Sequence, residues 1–186
     1  MPGLPRCARS IEVRVLMRTF ARAFGVEPPS LARQDAEQVL ATFVAFTAAC
    51  IELAIEDRRV AAVLRARLGA EAEALGGRIR VGVPLPSGVA TSLARLLYRG
   101  IGIDLVGDLP GDLRFRSCVF ARRYTPQDCW FMSAFDEGFM RGLTGLPDAS
   151  LAFTRRLTEG ATCCCARFCN ARIAASPFED SERMCP

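Results

Sequence analysis

The stretch LAFTRRLTEGATCCCARF, residues 151–168, predicts a β-hairpin. Leu151–Leu157 and Thr162–Phe168 are rich in residues that favour strands, and the Glu159-Gly160 pair between them is typical of a short turn. A hairpin at the end of the chain places at least one antiparallel strand pair there. It is the feature around which the rest of the fold is predicted.

The second strand of this hairpin carries three consecutive cysteines. Side chains alternate between the two faces of a strand, so Cys163 and Cys165 share one face with Arg167, and Cys164 lies on the other. If one face packs on helices, we expect either Cys164 or the Cys163/Cys165 pair to be buried, but not both. Side chains of the partner strand alternate in the same way, so Arg155 points to one of the two faces.

Helical patterns dominate the chain before the hairpin. Ser30 is a good candidate N-cap for a long apolar helix, in which Val39–Ile55 is apolar almost all round and is expected to be buried. A break is expected near Glu56–Arg59, and the Gly- and Pro-rich residues 76–90 predict loops. The predicted helices are Ile11–Phe24, Leu31–Asp57 with a continuation to Leu75, Thr91–Arg99 and Pro126–Leu143; the predicted strands are Arg78–Val83, Ile103–Val106 and Leu113–Ala121.

Helices first and strands later predict an α+β fold, with N-terminal helices packed on a small antiparallel sheet that ends in the β-hairpin. At 186 residues the chain is long enough for a single domain, residues 1–186, with one core. We expect residues 1–9 and 172–186 to be loose.

Composition excludes several kinds of chemistry. The chain has no histidine, and all 24 basic residues are arginine, so Cys–His nucleophile pairs, histidine metal ligands and Schiff-base lysines are excluded. Cys165 and Cys169 have the spacing of a zinc ligand pair, but no second matched pair accompanies them, so we expect no metal and no cofactor.

Charge and hydropathy also limit the partners. The net charge of +4 is spread along the chain, which argues against a nucleic-acid partner. The uncharged part of Val39–Ile55 is too short for a membrane span, and no apolar signal segment follows the N-terminus. We therefore expect a cytoplasmic protein with free thiols and no membrane contact.

Candidate site residues gather on the predicted helix Pro126–Leu143. Cys129, Ser133 and Asp136 fall at positions i, i+4 and i+7, so they share one face and can line a small polar pocket. The alternative is a packed cysteine and a solvated aspartate. Glu137 points elsewhere and is expected to be solvent-exposed.

The strands supply the other candidates. Cys118 is either a small buried hydrophobe or a thiol whose pKa is lowered by the neighbouring Arg122 and Arg123. An arginine beside a thiol or carboxylate can hold an acidic group of a substrate, and Arg155 and Arg167 are the candidates.

The C-terminal third resembles a known family. Cys118-Val119-Phe120, then Cys129, then Ser133–Asp136, then a hairpin with the segment 158–164, are similar to the L-2-amino-thiazoline-4-carboxylic acid hydrolase family over about residues 110–170. The chain departs from that pattern: Ser133 stands where the family often has cysteine, Val119 replaces a proline, and Cys165-Ala166 replaces Asp-Phe.

The resemblance implies an enzyme of secondary metabolism that acts at a carbon–nitrogen bond of an amino-acid-derived small molecule. Asp136 would act as the general base or orient water, and Cys118 or Cys164 would be the nucleophile or shape the pocket. The site would be completed by Ser133, Cys129, Arg155 and Arg167. Ring formation by intramolecular amine displacement, as in aziridine-forming enzymes, is an alternative. A non-catalytic paralogue that stabilises an active partner is another. A homo- or hetero-oligomer with a related subunit is expected.

Overall fold

The computed structural model of the chain describes residues 6–82 and 88–170. Five helices and four strands follow one another in the order α1 to α4, β1, β2, α5, β3 and β4. The helices are α1 (Arg6–Phe24), α2 (Ala36–Ile55), α3 (Arg58–Gly82), α4 (Val89–Gly100) and α5 (Pro126–Thr144); the strands are β1 (Ile103–Gly107), β2 (Gly111–Cys118), β3 (Ala149–Arg155) and β4 (Cys164–Asn170). The predicted α+β class is confirmed.

The four strands form one antiparallel sheet in the order β1-β2-β4-β3. The predicted hairpin is present as β3 and β4, joined by a 3-10 turn at Leu157–Glu159. Strand β4 also pairs with β2, where Phe115 lies opposite Cys164. The cysteine run therefore belongs to a central strand, which places Cys164 in the middle of the sheet.

Helix α2 begins later than predicted. Asp35, and not Ser30, is its N-cap: the Asp35 carboxylate accepts from the backbone N–H groups of Glu37 and Gln38, and the Gln38 side chain accepts from the Asp35 N–H. This reciprocal pair satisfies donors at the helix start that a serine five residues earlier cannot reach. The predicted break is confirmed, because α2 ends at Ile55 and α3 begins at Arg58.

The strand predicted at Arg78–Val83 is wrong, because α3 continues through Gly76-Gly77 as far as Gly82. Helix α5 packs closely along this part of α3, and a Cβ at Gly76 would overlap the carbonyl oxygen of Phe139. The glycine that suggested a loop is thus required for close helix contact. The rest of the predicted loop, residues 83–87, lies outside the described residues, as do residues 172–186 and the first five residues of the segment 1–9; Arg6 already begins α1.

Helix α2 is not buried on every side. Val39, Phe43 and Ile51 are fully buried, whereas the Leu53 side chain is 72% exposed. By length and composition alone α2 is also apolar enough to cross a membrane. In the structure its inner face belongs to the hydrophobic core that includes residues of all five helices and all four strands.

Helix α5 has the predicted start. Pro126 occupies its first turn, and Thr125 caps it in a reciprocal pair of hydrogen bonds with Asp128. Strand β2 ends at Cys118, three residues earlier than predicted, where the chain turns toward α5. These two boundaries bring Cys118 and the inner face of α5 to the same end of the sheet.

Candidate functional site

A cavity of about 380 Å³ lies between the helices and the inner face of the sheet. Most of its wall is apolar, and much of it is aromatic. Each of the five helices and four strands contributes at least one lining residue, so the cavity lies at the centre of the described fold. Its lining residues with heteroatoms in their side chains are Glu12, Tyr98, Cys118, Tyr124, Cys129, Met132, Asp136 and Cys164.

Asp136 is the acidic group of the site on α5. Its carboxylate lies deep in the protein but keeps some accessible surface, because that surface faces the cavity. The Tyr98 hydroxyl, from α4, donates a hydrogen bond of 2.8 Å to Oδ1 of Asp136. Among the described residues, Oδ2 receives no hydrogen bond. The carboxylate is therefore held by one oxygen and presents the other to the cavity.

Burial raises the pKa of Asp136 to about 6, although the Tyr98 hydrogen bond opposes the rise. Burial and the neighbouring Asp136 both raise the pKa of the Tyr98 phenol. At neutral pH the phenol therefore stays protonated and is a donor, while Asp136 is mostly ionised and keeps a minor protonated fraction. A carboxyl group in this state can both accept and donate a proton.

Three cysteine side chains line the same cavity as Asp136. Cys118 comes from the end of β2, Cys129 from α5 and Cys164 from β4. The backbone N–H of Leu157 donates to the Cys164 sulfur at 3.2 Å. The structure thus brings together four of the predicted site residues, from three separate elements.

The thiols are held in the neutral form. Burial raises the pKa of Cys118 to about 12 and that of Cys164 to about 11, and it also raises the pKa of Cys129. Arg122 and Arg123 are exposed and do not lower the pKa of Cys118. The hypothesis of an arginine-activated thiolate at Cys118 is therefore wrong, since desolvation dominates at this position.

Ser133 and the two predicted arginine clamps lie away from the cavity. The Ser133 hydroxyl donates to the carbonyl oxygen of Trp130 at 2.7 Å, within α5. Arg167 makes a two-pronged ion pair with Asp112 on β2, with distances of 2.7 and 3.2 Å. Arg155 is half-buried on β3 and is not part of the lining. Side chains alternate along β4, so Arg167 lies on the face opposite to that of Cys164 and does not reach the cavity.

The cysteine run shows the predicted alternation but not the predicted burial. Cys163 and Cys165 lie on one side with their sulfurs 3.5 Å apart, and Cys164 faces the cavity on the other. All three are buried, so the expectation that only one side would be buried is wrong. We expected free thiols throughout, but Cys163 is disulfide-bonded, so that expectation is wrong for this residue.

Glu137 is half-buried and is not solvated as predicted. Its carboxylate accepts from the Leu151 backbone N–H and from the Arg141 side chain, both at 3.1 Å. Glu137 therefore ties α5 to the start of β3. It supports the sheet that carries the cavity wall, and is not itself part of the lining.

Tyr98 and the aromatic residues of the cavity wall were not predicted as site residues from the sequence. Tyr98 contacts Phe115 and Phe139 edge to face, and Phe115 lies against Phe153. A signal was present in α4, where Ala90, Ala94 and Tyr98 recur at intervals of four and are all buried. The partner of Tyr98 on another helix could not be read from that spacing.

In the described part of the chain, no group of three or more cysteine, aspartate or glutamate side chains is arranged to hold a metal ion. Comparisons of the chain with family models, with curated proteins and with solved structures gave no match in any of the three. The cavity and the residues that line it are therefore the basis on which a function can be inferred.

Proposed function

We propose that the chain is a small-molecule enzyme that acts at a carbon–nitrogen bond of an amino-acid-derived substrate, with Asp136 as its general acid–base group. The observation that carries the proposal is a buried carboxyl with a pKa of about 6, facing an apolar cavity and held by Tyr98. Perturbed carboxyls in enclosed cavities are typical of active sites. The motif resemblance to the thiazoline hydrolase family supports the same reaction class.

Hydrolysis of a thiazoline-like ring illustrates the proposed role. Asp136 in its protonated form gives its proton to the ring nitrogen, while a water molecule adds to the adjacent ring carbon through a new carbon–oxygen bond. Asp136 takes back the proton that the water loses, which gives a tetrahedral carbon with a hydroxyl group. Asp136 then gives this proton to the ring nitrogen and accepts the hydroxyl proton, as the carbon–oxygen double bond forms and the carbon–nitrogen bond breaks to release the amine. The neutral thiols of Cys118, Cys129 and Cys164 shape the wall in this scheme, because their raised pKa values make them poor nucleophiles.

The test uses 2-amino-thiazoline-4-carboxylate and 2-aminothiazoline, which differ only in the carboxylate. We expect at least one of them to gain the mass of one water when incubated with the protein. Asp136→Asn should reduce this rate by about 100-fold or more, the usual contribution of a general acid–base group. Asp148→Asn, which changes an exposed aspartate, is the matched control. Full activity in Asp136→Asn, or no turnover of either compound, contradicts the proposal.

Ring formation is the second candidate, favoured by the apolar wall. A cavity that excludes water disfavours hydrolysis and suits an intramolecular displacement. A substrate amine would form a carbon–nitrogen bond as a sulfate leaves with the broken carbon–oxygen bond, and ionised Asp136 would take the amine proton. Release of sulfate from a substrate with a sulfate ester beside an amine would favour this reaction over hydrolysis.

A further inference from the structure

We infer that the cavity binds an apolar molecule that carries a basic nitrogen, with the protonated nitrogen on Oδ2 of Asp136, and that it rejects molecules with a free carboxylate. This inference rests on the proposed function for the location of the site, and it narrows the substrate class. It replaces the acidic substrate that the predicted arginine clamps suggested.

The charges around the cavity favour a cationic ligand over an anionic one. Two carboxylates, Asp136 and Glu12, belong to the lining, whereas none of the described lining residues is basic. Arg167 is engaged by Asp112, on the other face of the sheet. A ligand carboxylate would lose its hydration here and gain no cation in return, beside a carboxyl of the same sign. A ligand ammonium would gain an ion pair with Asp136.

Oδ2 of Asp136 is available to accept a hydrogen bond from a ligand. Tyr98 occupies Oδ1, and Oδ2 has no donor among the described residues. A buried carboxylate without its full set of donors is costly, so a cationic N–H donor from the ligand would relieve that cost. The neighbouring thiols and the Tyr98 phenol remain neutral at physiological pH and do not compete for the cation.

The aromatic wall of the cavity suits both the ammonium group and the apolar part of such a ligand. The Tyr98 ring, whose hydroxyl bonds to Asp136, contacts both Phe115 and Phe139, and Phe135 stacks on Phe139. Aromatic faces attract ammonium groups and also bury the apolar part of a ligand. A cavity of about 380 Å³ lies near the lower end of the range for small-molecule sites. The site therefore suits a compact amine with one ring or a short chain.

The experiment compares three probes of nearly equal shape by calorimetry: 3-phenylpropylamine, 3-phenylpropan-1-ol and 3-phenylpropanoate. We expect the amine to bind at least about tenfold more tightly than the alcohol at pH 7.5, and the carboxylate most weakly. Asp136→Asn should bring the amine and the alcohol to about equal affinity. Asp148→Asn, which changes an exposed aspartate outside the lining, should keep the preference for the amine.

A pH series on the unaltered protein provides a second measurement that needs no variant. The titratable groups of the same lining are Tyr98 of α4, Cys118 of β2, Tyr124 before α5, Cys129 of α5, Cys164 of β4 and Glu12 of α1. Protonation of Asp136 removes the partner of the ammonium, so the preference for the amine should begin to decline as the pH falls through about 6. The Asp148→Asn variant should show the same decline.

Three results overturn the inference: equal binding of the amine and the alcohol, tighter binding of the carboxylate, or no binding of any probe. A preference that survives in Asp136→Asn also overturns it. Because the readout is binding, its failure is distinguishable from failure of the proposed function. Amine binding without ring hydrolysis leaves the ligand class standing and refutes the reaction, and hydrolysis of the carboxylate-bearing thiazoline alone does the reverse.

Discussion

At the scale of single residues, Asp136 shows how position changes the chemistry of a side chain. Spacing along α5 places it on one face with Cys129 and Ser133, and of these three Cys129 and Asp136 line the cavity. Spacing cannot reveal that the Tyr98 hydroxyl comes from another helix, or that burial raises the pKa of Asp136. Those properties depend on contacts between residues 38 positions apart in the chain.

Asp136 should make stability depend on pH. Its folded-state pKa of about 6 lies above the ordinary value of 3.8, so ionisation opposes folding. The penalty is absent below pH 3.8, grows as the pH rises and is complete above about 6. Asp136→Asn should therefore raise the free energy of unfolding at pH 7.5 by up to roughly 3 kcal/mol, at about 1.4 kcal/mol for each unit of pKa.

Urea denaturation of both proteins between pH 4 and pH 8 measures this difference. The gain should shrink steadily as the pH falls from 6 toward 4, because the wild-type carboxyl becomes protonated. Asp148→Asn changes an exposed aspartate and should show no such trend. A destabilised Asp136→Asn protein at pH 7.5 would mean that the carboxylate is better stabilised in the fold than its burial indicates.

At the scale of elements, local signals predicted some boundaries and missed others. Pro126 predicted the start of α5, because the geometry of proline restricts only its own and the adjacent residues. The same local reasoning placed loops at Gly76-Gly77, where the structure has the helix α3. The reason lies on α5: the two helices approach so closely that only hydrogen fits at Gly76. Tertiary packing overrides local preference there.

The contact between α3 and α5 should depend on its glycines. A Cβ at Gly138 would overlap the carbonyl oxygen of Gly69, whereas a Cβ at Gly77 has no heavy atom within 4 Å. Gly138→Ala should therefore force the helices apart and lower the free energy of unfolding by about 1–3 kcal/mol. Gly77→Ala should raise it by roughly 0.5–1 kcal/mol, because alanine favours the helix.

The opposite signs make this pair of variants a sharp test, since both are the same substitution in the middle of a helix. Thermal and urea denaturation at pH 7.5 measure both changes. A neutral Gly138→Ala protein would show that α3 and α5 are less closely packed than described. A destabilised Gly77→Ala protein would show that the second glycine also meets a neighbour.

At the scale of the whole molecule, composition and element order were sufficient to predict the α+β class. They were not sufficient to predict the strand order β1-β2-β4-β3, in which β4 lies between β2 and β3. That order places Cys164 opposite Phe115 and so closes one wall of the cavity. The cavity is thus a consequence of non-local strand pairing, which no single stretch of sequence encodes.

The continuity of the core leads to a prediction about unfolding. One cluster of buried residues includes side chains from every helix and every strand, among them Phe20, Phe43, Phe131 and Phe168. If residues 1–186 form one domain, loss of any part of this cluster should expose the rest, and unfolding should be a single cooperative transition. Trp130, the only tryptophan, stacks under Arg65 between α5 and α3 and reports on one part of the molecule.

Urea unfolding followed by Trp130 fluorescence and by far-ultraviolet circular dichroism tests this prediction. The fluorescence reports the contact between α3 and α5, whereas the circular dichroism reports helices throughout the chain. Both signals should give the same midpoint and the same slope, because a shared core couples α1, α2 and α4 to that contact. Two separate midpoints would show that the helices around the cavity form a unit independent of the α3–α5 pair, and the cavity would then open before the molecule unfolds.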